Sequence, residues 1–279
     1  MTYAENALTF RCTGCQLFGI LAQPQISSGR GVLIVVGGPQ YRVGSHRQFV
    51  LLARALAAQG FDSLRFDCRG MGDSSGQVRG FEETGNDILA AARALRNSCP
   101  RVERVVAFGL CDGASAVLLA AERIERLAGL MLANPWVRRS ESLNATVVRH
   151  YYRRRILSSQ LWRSVLSGST KIAPALKELG DRLRRYLVDS RRPLQRDYVD
   201  SMLQGWQRTP CPKLLVVSGQ DLTAAEFENL VRRDSRWAEV TRHRQTRMVR
   251  LKDADHTFSS LPTRDEMEKA CLEFMRSVE

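Results

Sequence analysis

A cysteine stands at the centre of the heptapeptide GLCDGAS, Gly109 to Ser115. A thiol can attack a carbonyl carbon and carry the acyl group as a thioester. It needs a base to take its proton and N–H donors to receive the charge that develops on oxygen. Gly109 and Gly113, two residues either side of Cys111, suit a sharp turn from a strand into a helix. Such a turn lifts the central side chain clear of the backbone, and only small neighbours leave room for it. The backbone N–H of Asp112, first in the helix, is then one oxyanion donor, and the helix start favours a thiolate. The alternative is a cysteine packed as a small hydrophobe. The apolar run before Cys111 and the alanine-rich run after it favour the turn.

The base must come from four histidines. His256 lies in DADHTFS, a polar loop after the last predicted strand, whereas His46 opens a helix, His150 sits in a basic stretch and His243 in an Arg-rich one. An acid that accepts the Nδ1 proton would hold the imidazole in the right tautomer. Asp221, in LLVVSGQDL, follows a buried strand at its carboxyl end. Asp253 and Asp255 are rivals, but residues so near in sequence on a tight loop rarely point at each other's side chains. The preceding strand ends in Asn134, not an acid. The expected set is therefore Cys111 as nucleophile, His256 as base and Asp221 as orienting acid.

These residues need a scaffold, and hydrophobic periodicity supplies one. ALTFRC and QLFGILAQP read as a hairpin about Thr13-Gly14. GVLIVV (31–36) is a buried strand, and 46–59 is a helix with Phe49, Leu52, Ala53, Leu56 and Ala57 on one face. Strands at 61–66, 102–108 and 127–132 then alternate with helices at 84–97 and 114–124, which implies a mostly parallel sheet with helices on both faces. From about 136 to 209 the patterns are helical only. A strand at 214–217, a helix at 224–233, a strand near 248–251 and a final helix at 264–278 follow. The expected organisation is a core in two parts, 1–135 and 210–279, with a helical cap at 136–209 inserted before the late strands. Insertions there lie over the carboxyl ends of the strands, where open sheets bind ligands.

Two further loops bear on the chemistry. Gly37-Gly38-Pro39-Gln40 follows the strand 31–36, and its small residues let a second backbone donor approach. Gly38 or Gln40 can supply that N–H; Pro39 has none. FDCRGMGDS (66–74) follows the next strand. The D-x-R-G-x-G-x-S loop, the Gly-Gly-Pro turn, G-x-C-x-G, the late G-Q-D and Asp255-His256 together resemble the α/β-hydrolase superfamily over nearly the whole chain. The resemblance implies that fold and the chain order nucleophile, acid, base. GLCDGAS with VVGGPQYRVGSHRQFVLLARALA and FDCRGMGDSSG is most similar to the exosortase A system-associated hydrolase 1 family. That resemblance implies a setting among bacterial exopolysaccharide and protein-sorting genes, and no particular substrate. The elbow cysteine is also similar to that of dienelactone hydrolases and polyhydroxyalkanoate synthases, which implies ester hydrolysis or acyl transfer from a thioester. Neither family's full pattern is present.

Taken together, the expected activity is hydrolysis of an ester or thioester through an acyl-cysteine. An acyltransferase, or a silent ligand-binding scaffold, is the alternative. No cofactor is implied. Cys12 and Cys15 form a C-x-x-C, but no second pair or nearby histidine completes a metal site. The seven cysteines show no disulfide framework, and the N-terminus has no export signal, so a cytoplasmic location is expected. The net charge of +13 is concentrated: residues 138–197 hold 15 Lys/Arg against 5 Asp/Glu. With Tyr151, Tyr152, Trp162, Tyr186 and Trp206 nearby, this block could meet an anionic head group or the inner membrane surface. Nucleic acid is not an expected partner, a small or lipid-like acyl substrate is, and the oligomeric state is open.

Overall fold

A computed structural model describes residues 2–38, 40–137 and 198–278. The chain divides into two compact units, Met1–Trp136 with Tyr198–Glu279, and Val137–Asp197. The second falls outside the described residues except for Val137. The basic block, His150, Tyr151, Tyr152, Trp162 and Tyr186 lie outside them too.

The first unit is built on one eight-stranded sheet. Its strands are β1 (Tyr3–Cys12), β2 (Cys15–Pro24), β3 (Arg30–Val35), β4 (Asp62–Phe66), β5 (Arg104–Leu110), β6 (Leu127–Ala133), β7 (Lys213–Ser218) and β8 (Thr246–Leu251). Their order is β1-β2-β4-β3-β5-β6-β7-β8. The β1–β2 and β2–β4 pairings are antiparallel and the rest parallel. Thr13 and Gly14 both have positive φ, as a two-residue hairpin turn with right-handed strand twist requires.

Among the described residues seven α-helices flank the sheet: α1 (Gln48–Ala58), α2 (Gly85–Ser98), α3 (Asp112–Ala120), α4 (Tyr198–Arg208), α5 (Leu222–Arg233), α6 (Ser235–Arg242) and α7 (Leu261–Ser277). Strand alternation sorts the core. Val32 and Ile34 of β3, with Val106 and Phe108 of β5, enter one cluster with α1 (Phe49, Leu52) and α7 (Phe274, Met275). α2, α3, α4 and α6 pack as a chain of neighbours, away from that cluster. The central strands are buried along nearly their whole length, as a sheet covered on both faces requires.

Outside 138–197, which the described residues do not include, the expected elements form with their ends shifted by a few residues. Two observations differ in kind. α6 was not expected: its sequence is polar, and only Trp237 and Thr241, four positions apart, are buried. α4, which the sequence groups with the insertion, lies in the first compact unit and packs on α3. The close fit is possible because residue 205 is glycine; a Cβ there would sit 2.1 Å from the Leu118 carbonyl oxygen. Trp206 is correspondingly not a free aromatic. It is buried, with its ring 5.8 Å from Trp237 in an edge-to-face arrangement.

Candidate active site

β5 delivers Cys111 to the sheet's carboxyl edge, and α3 begins one residue later. Between them Cys111 adopts φ 61° and ψ −127°. For a residue with a side chain this conformation costs on the order of 1–3 kcal/mol, so the surroundings must hold it. The Cys111 N–H donates to the Ala133 carbonyl at 2.9 Å, and its carbonyl accepts the Trp136 N–H at 3.2 Å. The Ser115 hydroxyl then ties Trp136 to α3, donating to its carbonyl at 2.7 Å. The two flanking glycines are required by close approach. A Cβ on Gly109 would lie 2.5 Å from the Gly113 carbonyl oxygen, and one on Gly113 would lie 2.7 Å from that of Val35.

His256 and Asp221 arrive from loops after β8 and β7. His256 Nδ1 is 2.8 Å from Asp221 Oδ2. Asp221 also caps α5, accepting from the Thr223 and Ala224 N–H groups at 3.2 and 3.1 Å, which anchors its carboxylate. Hydrogen bonds from Asp221 and then from Cys111 push the His256 pKa up to about 10, against the opposing effect of burial. His256 is thus bonded to Asp221 and lines one cavity with Cys111, whose thiol also acts on the imidazole. Asp255 is committed elsewhere: it accepts from the Thr257 and Ser259 N–H groups and from the Ser259 hydroxyl.

Asn134, read from sequence only as the absence of an acid, holds this arrangement together. It sits at the end of β6 with φ 45° and is fully buried. Its Nδ2 donates to the Ser218 hydroxyl at 2.8 Å and to the His256 carbonyl at 3.3 Å, while its Oδ1 accepts the Ser218 N–H at 2.8 Å. One side chain thus joins the ends of β6 and β7 to the histidine loop. The sequence signal was a polar residue at the end of an otherwise apolar strand.

The expected oxyanion donors line a cavity with Cys111, and that of Gly38 is already engaged. The Gly38 N–H donates to Asp112 Oδ2 at 2.8 Å. Gln40 uses its side-chain oxygen to accept the Ser45 N–H at 3.3 Å. Gly38, Gln40, Asp112, Cys111 and His256 line one cavity of about 370 Å³. A second cavity of about 300 Å³ shares Gly38, Gln40, Phe81 and Asp112 with it and extends to Met71 and Val78.

Cys111 is the thiol that meets His256. Burial pushes the thiols of Cys12, Cys68, Cys99, Cys211 and Cys271 upward, Cys99 and Cys271 to about 12. Cys12 of the C-x-x-C lies across the hairpin from Cys15 and donates to Asp87 at 3.1 Å. No group of metal-ligating side chains occurs among the described residues.

Residues 32–271 match the sequence profile of the alpha/beta hydrolase family. The chain belongs to that family. Solved α/β-hydrolase structures superpose over nearly its full length. A Pyrococcus furiosus esterase matches with a TM-score of 0.67 at 14% identity, covering 98% of this chain and 91% of its own. Est1E from Butyrivibrio proteoclasticus, solved with ferulic acid, gives 0.63 at 17% identity, with 98% and 99% covered. A dienelactone hydrolase from Anabaena variabilis gives 0.64 at 16% identity, with all of both chains covered. Among curated proteins, an uncharacterized Pseudomonas aeruginosa protein is 27% identical over 165 residues. That match takes in 56% of this chain and spans less than half, 44%, of the relative.

Proposed function

We propose that this α/β hydrolase cleaves an ester or thioester through an acyl-cysteine on Cys111. The observation that carries the reading is the Asp221–His256 hydrogen bond beside a cavity that His256 lines together with Cys111, which stands at a strained strand-to-helix turn.

Each step uses a group already in position. The proton of Cys111 already rests on His256, at the ring nitrogen that Asp221 does not hold, and the sulfur attacks the substrate carbonyl as the thiolate. A C–S bond forms as the carbonyl π pair moves to oxygen, where backbone N–H donors beside Cys111 receive it. Collapse restores the carbonyl and breaks the bond to the leaving group, which takes the proton from His256. Water, deprotonated by His256, then attacks the thioester, and Cys111 departs as thiolate. Asp221 keeps the imidazole in one tautomer and offsets its positive charge throughout.

A thioester is itself a good acyl donor, so a nucleophile other than water would turn the same intermediate into an acyl transfer. The cavity on Cys111 has room for a small or lipid-like acyl substrate. The finer similarity of GLCDGAS and FDCRGMGDSSG suggests that this substrate belongs to bacterial exopolysaccharide or exosortase-associated metabolism. No described helix is long and apolar enough to cross a membrane. Any membrane association would rest on the basic block at 138–197.

Intact-mass spectrometry after brief exposure to activated esters and acyl thioesters tests the mechanism. One acyl group should appear on the protein, map to Cys111 and be absent from Cys111→Ala. Turnover of any of these substrates by Cys111→Ala at the wild-type rate would overturn it.

A further inference from the structure

The donors expected to receive an oxyanion already serve an anion. The Asp112 side chain folds back over the first turn of α3, where its Oδ2 accepts the Gly38 N–H at 2.8 Å. The N–H groups of Gly113 and of Asp112 itself also act on the carboxyl. Those of Gly38 and Asp112 are the pair that a tetrahedral intermediate on Cys111 would need. A turn of this kind requires the backbone N–H of residue 112 and makes no use of its side chain.

The seat is fitted to the carboxyl yet does not fully satisfy it. Residue 37 leaves space only because it is glycine: a Cβ there would stand 2.0 Å from Asp112 Oδ1. That Oδ1 is buried and has no hydrogen-bond partner among the described residues. No ion pair holds Asp112 among the described residues, although the charge of His256 acts on it, and burial is the leading influence on its pKa, raising it. A half-buried carboxylate whose one buried oxygen lacks a partner is held weakly, since each missing bond leaves desolvation uncompensated. Asp112 also lines both cavities, so a rotation about χ1 has space to enter.

We propose that the Asp112 carboxyl is a resident occupant of the oxyanion hole that the substrate carbonyl must displace, making Asp112 a specificity-determining residue of acylation. The inference rests on the acyl-cysteine reading above. One N–H cannot bond the carboxylate and the oxyanion at full strength, and the two negative charges repel. The cost of moving the carboxyl falls on substrate binding. A substrate that fills the adjoining cavity past Phe81, Met71 and Val78 gains contacts that offset it, whereas a small acetate ester does not. The arrangement therefore discriminates against small esters.

The test compares two reactions of Cys111 in wild type, Asp112→Ser and Asp112→Asn. Acylation by a small activated acetate ester needs the oxyanion hole; alkylation by iodoacetamide reads thiolate reactivity and needs no hole. After division by any change in alkylation, acylation should rise about ten-fold or more in Asp112→Ser, part of the 10²–10³-fold that one donor is worth. Asp112→Asn keeps the shape without the charge and should show a smaller rise; it decides the matter if the serine variant does not fold. Equal changes in both reactions, or a fall in acylation, would overturn the occupant role while leaving the acyl-cysteine intact. Alkylation at Cys111 without acylation of any variant would overturn the acyl-cysteine reading and this inference with it.

Discussion

In the proposed mechanism Cys111, His256 and Asp221 divide the work that a cysteine nucleophile needs. The backbone at Cys111 is held at positive φ, so its side chain stands clear of both β5 and α3. Asp221 is fixed by three contacts, two from the start of α5 and one from His256, and so arrives preoriented. Asp221→Asn should leave Cys111 in place but mis-set the imidazole. Acylation is expected to fall about 10²–10⁴-fold, measured as the rate of adduct formation by mass. A second expectation concerns pH. His256 keeps its proton up to about 10 in the folded protein, against 6.5 for the ordinary side chain. The folded state binds that proton more tightly, so the stability it contributes is complete below about pH 6.5 and is lost as pH rises through about 10. The melting temperature of wild type minus that of His256→Gln should be largest at low pH and shrink across this window. A difference that stays constant would contradict the assigned protonation.

At the scale of elements, the site is where three strand ends meet. β5 carries Cys111, β7 leads to Asp221 and β8 to His256, and β6 lies between with Asn134 at its tip. Asn134→Ala would leave the Ser218 N–H unpaired in the interior and release the histidine loop. It should lower stability by about 1–3 kcal/mol in denaturant titration. It should also raise hydrogen exchange at residues 254–258; unchanged exchange there would remove Asn134 as the clamp. The loop after β3 is set by packing in the same way. Gly37→Ala would drive a methyl group into Asp112 and the Gly113 N–H, at 2.0 and 2.5 Å. The loop must shift, so thermal stability and Cys111 acylation should both decline.

On the scale of the whole molecule, the elements far from Cys111 stabilise the frame that positions it. Trp237 is fully buried, with Trp206 at 5.8 Å and Phe227 at 5.5 Å between ring centres. These rings join α4, α5 and α6, and α4 in turn packs on α3, whose first turn follows directly on Cys111. Trp237→Ala should cost about 3–5 kcal/mol. Measured by denaturation, that loss should come as one cooperative transition in which reactivity at Cys111 disappears with the fold.

Much of this was legible in the residues. Apolar β-branched runs alternating with helical spacing specify a covered parallel sheet, because each run can bury both faces only in that setting. Glycines two either side of Cys111 announce a crowded turn, and polar residues just beyond buried strands mark the sheet's carboxyl edge. What periodicity does not encode is how loops from distant segments meet. α6 was missed because two buried residues in a polar stretch leave no pattern. The clamp formed by Asn134 and the return of the Asp112 carboxyl onto Gly38 are contacts across 122 and 74 residues. The sequence by itself determined which residues stand at the sheet edge. Only the tertiary structure decided which groups touch there, since hydrogen bonds depend on side-chain positions that are set when all the strands have packed.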